Sequence, residues 1–316
     1  MLNPVVGRCQ HDALLYASDT ELIETTVPFV YAGLSAGDVI LVYGDGLQLT
    51  VLREALGDDP AIQFADADWL HQNLAATLQT YQQMFDHDTG TVPRGIRSTG
   101  PAPLDDDPAA NANWIRYEAL VNHVLAPYPF QAICTYDTRT QPADRVASAR
   151  RTHPHVRWAG SRVCSPGYLE PAEVLLQIGP ATPPPVEATA PALQIEDGRD
   201  LAAVRHELYL AVHDSGLPAE SADDFLAAVN EVLVNALQHG QDPVTVRLWC
   251  RSDRVHCAVS DAGGGISDPL AGYTSPHSVT EPGGIGLWMA RQLCDQLAIG
   301  PAFDGGGCTV RLSSAC

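Results

Sequence analysis

The stretch FLAAVNEVLVNALQHG, residues 225–240, decides how the second half of this chain is read. At helical period, Phe225, Val229, Val232, Leu233 and Ala236 fall on one apolar stripe, the pattern of an amphipathic helix. Glu231 and Asn235 stand four residues apart, so both project from another face, one turn from each other. Alone, such a pair is an ordinary solvated couple. Two glycine-rich segments further along the chain change its meaning. Asp261-Ala262-Gly263-Gly264-Gly265-Ile266 comes directly after a strand-like run, and Gly283-Gly284-Ile285-Gly286-Leu287 opens another helical run. A carboxamide with a carboxylate, an Asp-led glycine turn and a glycine-rich helix start, in that order, make up a nucleotide site.

These motifs resemble those of the Bergerat, or GHKL, ATPases. Glu231 and Asn235 match the N box, residues 261–266 the D-x-G-x-G turn, and residues 284–287 the second glycine box. The resemblance implies a Bergerat-fold α/β sandwich that binds ATP with Mg. Asp261 would accept the exocyclic amino group of adenine at a strand end. Gly263 and Gly265, in the turn that ends at Ile266, would let backbone approach the ring. Asn235 would complete the magnesium shell, and Glu231 would act as catalytic base. Gly284 and Gly286, ahead of Leu287, would offer helix N-terminal amides to the phosphates. His239 would flank them, or serve as an ordinary histidine at a helix end. The family's adenine-holding threonine is replaced by Cys308, with Thr309 next to it. The lid, residues 267–282, lacks arginine, and His277 is its only candidate cation.

Composition bounds the alternatives. The 316 residues are 45% hydrophobic and 18% charged, enough for two globular domains. A formal charge of −20 argues against binding nucleic-acid phosphates and favours a basic partner. All 18 basic residues are arginine, which excludes a Schiff-base lysine, a Walker lysine and a Ser–Lys dyad. The eight cysteines never pair as C-x-x-C and mostly sit in or beside apolar runs, as reduced thiols do. No signal peptide or membrane span is evident. A cytoplasmic protein is expected.

From residue 12 to about 177, short apolar runs alternate with helical segments. Strands are expected at 13–16, 39–43, 62–65, 95–99 and 132–136, and helices at 21–34, 71–85, 113–125 and 139–152. This is an α/β domain with a largely parallel sheet. The run 39–43 followed by Gly44-Asp45-Gly46 occupies the place of a P-loop unit. It has no lysine, and it puts Asp45 where phosphate would approach, so it reads as a P-loop-like scaffold without nucleotide chemistry. The opening His11-Asp12-Ala13-Leu14-Leu15-Tyr16 and this strand-turn resemble the MEDS sensory domain over roughly residues 9–165. That resemblance implies a sensor for a small-molecule ligand. Cys9, His11, His153, His155 and Cys164 have spacings that suit zinc or another transition metal if the segments meet. The plain alternative is a loop and a frayed terminus. Tyr16, Trp69, Tyr81, Trp114 and Tyr117 line either a ligand pocket or the ordinary core.

Residues 179–192, GPATPPPVEATAPA, break the periodicity and read as an extended proline-rich linker between a domain at 1–178 and another at 193–316. An edge strand at 193–196 and a helix at 200–215 come next. His206 invites comparison with a histidine-kinase phosphoacceptor. It lies too close before the 225–240 helix for a two-helix dimerisation hairpin, with Gly216-Leu217-Pro218 between. A strand pair at 244–250 and 255–260, a helix at 287–297 and a last strand at 309–312 complete the domain. The helix, turn and N-box helix resemble the RsbW-type anti-sigma-factor serine kinases. That resemblance implies a serine/threonine kinase that acts on a STAS-type anti-sigma-factor antagonist and sequesters a sigma factor, thereby regulating transcription. The alternatives are a sensor histidine kinase and a non-catalytic nucleotide-dependent switch; a homodimer is left open.

Overall fold

The computed structural model describes residues 9–67, 74–86, 95–103, 108–179, 183–273, 285–301 and 306–316. They fall into two compact units, Met1–Ile178 and Gly179–Cys316.

The first unit holds one sheet in the order β3-β2-β4-β5-β1-β6-β7. Parallel strands are β1 (Gln10–Tyr16), β2 (Val39–Gly44), β3 (Ile62–Asp66), β4 (Ile96–Pro101), β5 (Phe130–Asp137) and β6 (His155–Trp158). β7 (Ser161–Cys164) returns antiparallel along β6. The helices are α1 (Asp19–Ala36), α2 (Gly46–Leu56), α3 (Leu74–Asp86), α4 (Pro108–Val124), α5 (Ala143–Thr152) and α6 (Pro171–Ile178). Connections β1–β2 and β2–β3 travel one way along the sheet, while β3–β4, β4–β5 and β5–β6 travel the other. Right-handed crossovers therefore place α1 and α2 on one face and α3 to α6 on the opposite face. Leu14, Ile40, Val42 and Ile133 pack towards Leu22, Val30 and Leu52 of the first pair. Strand alternation then turns His11, Ala13, Cys134 and Tyr136 towards the second group of helices.

Two local features go beyond the sequence expectation. Residues 155–164, outside the expected strands, form a hairpin. Its two-residue turn is Ala159-Gly160, with φ 48° and 75°, the double left-handed bend that suits hairpin twist. Alanine in place of asparagine or aspartate hid that signal. The P-loop-like turn after β2 is also occupied from within: Asp45 caps α2, its carboxylate accepting from Gln48 N at 2.8 Å. The chain's own anion thus fills the helix N-terminus. Tyr16, Tyr81, Trp114 and Tyr117 are buried core, and Trp69 lies outside the described residues.

The second unit is an antiparallel sheet, β11-β12-β10-β9-β8, made of β8 (Leu193–Ile195), β9 (Thr245–Cys250), β10 (Arg254–Asp261), β11 (Gln296–Pro301) and β12 (Cys308–Ala315). Helices α7 (Leu201–His213), α8 (Ala219–His239) and α9 (Ile285–Gln292) cover one face, as the Bergerat sandwich requires. Val246, Leu248, Val255, Cys257, Val259, Val310 and Leu312 meet Val204, Leu208, Phe225, Val229 and Leu233 in a single core. The expected helix at 287–297 stops at Gln292, and β11 takes up the rest as an edge strand.

The proline-rich segment is not a free linker along its described length. Residues 183–192 run over the outer face of this sheet, and Pro185–Ala188 forms a 3-10 turn. Glu187 is buried there, its Oε1 accepting from Arg311 Nε at 2.8 Å and lying 2.8 Å from His256 Nε2. Trp249 Nε1 donates to Thr189 O at 3.0 Å, and Ala192 N to Leu248 O at 2.7 Å. Proline composition described the backbone of this strap; the buried Glu187 anchor was invisible to it.

Candidate functional site

The nucleotide motifs converge on one side of the second sheet. α8 buries Phe225, Ala228, Val229, Val232 and Leu233 in the core, which leaves Glu231 and Asn235 half-buried on another face. Gly286, in the first turn of α9, lies directly against them. A methyl group on its Cα would stand 2.9 Å from Glu231 Oε2 and 3.1 Å from Asn235 Nδ2. An added methyl would press on the ends of both side chains, which would have to swing aside. Leu287, the next residue, is buried and holds α9 down on α8.

Asp261 ends β10. Its Oδ1 accepts from Gly263 N at 2.7 Å and from Gln241 N at 3.3 Å, while no hydrogen bond among the described residues engages Oδ2. A Cβ at Gly263 or at Gly240 would come within 2.7 Å of Oδ1, so two glycines crowd this carboxylate. Gly240 carried no signal in the sequence, because a glycine after a helix is ordinary punctuation. Gly265 has φ 79° and leads into exposed Ile266. Asp261 and the pair Glu231–Asn235 thus belong to elements that pack on one another, α8 on β10.

Thr309 requires a correction. It pairs across the ladder with Ser260, its Oγ1 lying 2.7 Å from Ser260 Oγ, and it is buried. Strand alternation turns both hydroxyls to the face away from α8. Cys308, opposite Asp261, stands on the nucleotide side, its Cβ 3.6 Å from where a Gly265 methyl would be. Burial first, then the Asp261 charge, push the Cys308 thiol up. His239 is exposed in the last turn of α8, with no hydrogen bond or ion pair to it among the described residues. Gly284 and the lid histidine, His277, lie outside the described residues.

In the first unit the expected set Cys9, His11, His153, His155 and Cys164 does not assemble as one group. His11 and His153 do meet, with ring centroids 4.1 Å apart. What joins them is Glu118 of α4 and Cys134 of β5. Glu118 Oε2 lies 2.9 Å from His11 Nε2 and 2.8 Å from His153 Nε2, and Cys134 Sγ lies 3.3 Å from His11 Nε2. His155 and Cys164 instead face each other across the β6–β7 ladder, and Cys9 is half-buried at the start of β1. Glu118 and Cys134 carried no motif; only the sheet order brings them to His11.

A half-buried carboxylate and carboxamide against a glycine helix start, with an Asp-led glycine turn beside them, define a Bergerat-type nucleotide-binding domain. The comparisons agree. Residues 196–314 match the family described as Histidine kinase-like ATPase domain, and residues 10–154 match MEDS, the MEthanogen/methylotroph, DcmR Sensory domain. The chain therefore pairs a MEDS sensory domain with a histidine kinase-like ATPase domain, the make-up of an ATP-binding regulatory protein. No curated protein matches it. Among the described residues no helix is long and apolar enough to cross a membrane.

Proposed function

We propose that this chain is an anti-sigma regulator whose ATPase domain phosphorylates a separate protein under the control of its sensor. On this reading, Asp261 selects adenine and Asn235 holds magnesium beside the phosphates. Glu231 takes the proton of a serine or threonine hydroxyl on a STAS-type anti-sigma-factor antagonist, and a sigma factor is sequestered in turn. When bound, magnesium supplies charge that offsets the phosphates during transfer. The residues fit this assignment, since Glu231 and Asn235 are half-buried and bring a carboxylate and a carboxamide together against the start of α9.

The observation that carries the reading is the place of α7. It has 13 residues, and its Val204, Leu208 and Val212 are buried in the domain's own core. Arg205 Nε donates to Asn230 Oδ1 of α8 at 2.7 Å, fastening the two helices within the sandwich. A histidine kinase needs a long helical hairpin to present its own phosphoacceptor, and α7 is a layer of the ATPase domain instead. His206 is exposed on it with no such hairpin around it among the described residues. The acceptor then belongs to a partner.

A second reading, a nucleotide-dependent binding switch without transfer, has one feature in its favour. Residues 267–282 contain neither lysine nor arginine, so this segment brings no fixed cation to a γ-phosphate. Incubation of the full-length protein with γ-labelled ATP and STAS-type antagonists separates the readings. Label on an antagonist supports the kinase, label on the chain itself the histidine kinase, and nucleotide binding without label the switch.

A further inference from the structure

We propose that the sensor domain carries a closed, four-coordinate site for a zinc-class divalent ion, built from His11 Nε2, Glu118 Oε2, Cys134 Sγ and His153 Nε2. These four atoms all lie within 4.8 Å of one another. Zinc bonds of about 2.0–2.3 Å to nitrogen, oxygen and sulfur put tetrahedral ligand atoms roughly 3.3–3.7 Å apart. The observed separations of 2.8, 2.9 and 3.3 Å need to open by less than about 1 Å for an ion to enter the centre.

Three observations point to a cation rather than to a purely internal polar cluster. The first is how the histidines are held. His153 Nδ1 lies 2.8 Å from Ala149 O, and His11 Nδ1 lies 3.2 Å from Asn122 Oδ1. A carbonyl accepts only from an N–H, so His153 Nδ1 carries a proton and the ring is held with Nε2 facing Glu118. Asn122 orients His11 in the same sense, since its Nδ2 is donated to Thr152 O at 2.6 Å and its oxygen is left as acceptor. This is the outer-shell arrangement that fixes metal-binding imidazoles.

The second is what the centre lacks. Glu118 Oε2 and His153 Nε2 are fully buried and neither makes an aligned hydrogen bond, although Oε2 has His153 Nε2 at 2.8 Å and His11 Nε2 at 2.9 Å. The other carboxylate oxygen is taken, with Tyr136 Oη donating to Glu118 Oε1 at 3.2 Å and Trp114 Nε1 donating to Tyr136 Oη at 3.2 Å. Two buried polar atoms left facing each other without an aligned hydrogen bond are costly, and a cation between them relieves both.

The third is charge and access. One thiolate, one carboxylate and two neutral imidazoles around a divalent ion sum to zero, which suits a buried site. Nitrogen and sulfur donors select zinc-class ions over magnesium or calcium. The adjoining cavity, between Trp114, Tyr136 and Arg145, has a volume of about 10 Å³, room for a single water and no substrate. The site therefore ties β1, α4, β5 and the end of α5 together rather than opening to chemistry.

The test uses full-length protein stripped with a strong chelator, freed of it, and titrated with Co²⁺. Expected are saturation at one equivalent, the intense visible bands of a four-coordinate ion, and a thiolate-to-cobalt charge-transfer band that Zn²⁺ abolishes by displacement. Cys134→Ser should remove the charge-transfer band, whereas Cys164→Ser and Cys316→Ser, at exposed thiols, should not. Asn122→Ala and Tyr136→Phe should weaken binding about 10–100-fold. If Cys134→Ser fails to fold, Glu118→Gln serves as the second variant, and should weaken binding at least as much. If the stripped chain unfolds, refolding on adding metal supports the site. If it does not refold, metal is counted in the unstripped protein, where one zinc per chain supports the site and a substoichiometric trace overturns it. A folded, stripped chain that takes up no Co²⁺ overturns it, as does a charge-transfer band that survives Cys134→Ser.

Discussion

At the scale of single residues, Gly286 separates nucleotide binding from folding most cleanly. Alanine in a helix is favoured over glycine by about 1 kcal/mol, so Gly286→Ala should leave melting temperature unchanged or slightly raised. Its methyl group would nevertheless stand 2.9 Å from Glu231 Oε2. ATP binding, followed by calorimetry, should be lost from a stable protein, and wild-type affinity would remove Gly286 from the site. Asp261→Asn should weaken ATP by about 1.5–3 kcal/mol, the value of a hydrogen bond to a charged acceptor. If transfer to an antagonist is found, Glu231→Ala should cut it about 10²–10⁴-fold while nucleotide still binds. The candidates Glu231, Asn235, Asp261 and Gly286 could be named from the sequence because spacing along a helix or turn is local. Thr309 was misplaced because the face of a strand residue depends on ladder register, here Thr309 opposite Ser260, which is set by a partner far away in sequence.

At the scale of elements, the strap at 183–192 and its Glu187 contact make the testable unit. Burial alone would raise the Glu187 carboxyl, but hydrogen bonds from His256 and Arg311 outweigh it and hold the group below its ordinary value. A carboxylate depressed in the folded state contributes stability above the unfolded value, about 4.3 for glutamate, and loses it as acid passes through the native value. Glu187→Gln leaves Arg311 buried without its anion and should cost about 3 kcal/mol near neutral pH in urea melts. That deficit should shrink below about pH 4, and a deficit independent of pH would mean that the strap is held by packing alone. Helices with a strong apolar stripe, such as α8, were legible from periodicity. The strap was not, because prolines dominate its composition and one buried charge pair decides its packing. The β6–β7 hairpin escaped for a similar reason, since its turn uses Ala159-Gly160 in place of a recognisable pair.

At the scale of the whole molecule, the strap changes what counts as the ATPase domain. A fragment of residues 183–316 should melt about 10 °C above one of residues 193–316, if the strap contributes about 3 kcal/mol to a domain of this size. The shorter fragment should also show red-shifted tryptophan emission, because Trp249 loses its cover and the hydrogen bond it donates to Thr189 O. Equal melting and unchanged emission would make the strap incidental. β12 has a different consequence, one that concerns biogenesis. It comes later in sequence than every other strand of its sheet, yet it lies inside the sheet, between β10 and β11. Until a ribosome has delivered residues 308–315, β10 and β11 each present a bare edge, open to pairing with any neighbouring nascent chain. A polypeptide stalled before that point would carry the whole nucleotide-binding helix α8 and still be an aggregation hazard, so this domain's yield in a cell rests on its last strand arriving promptly.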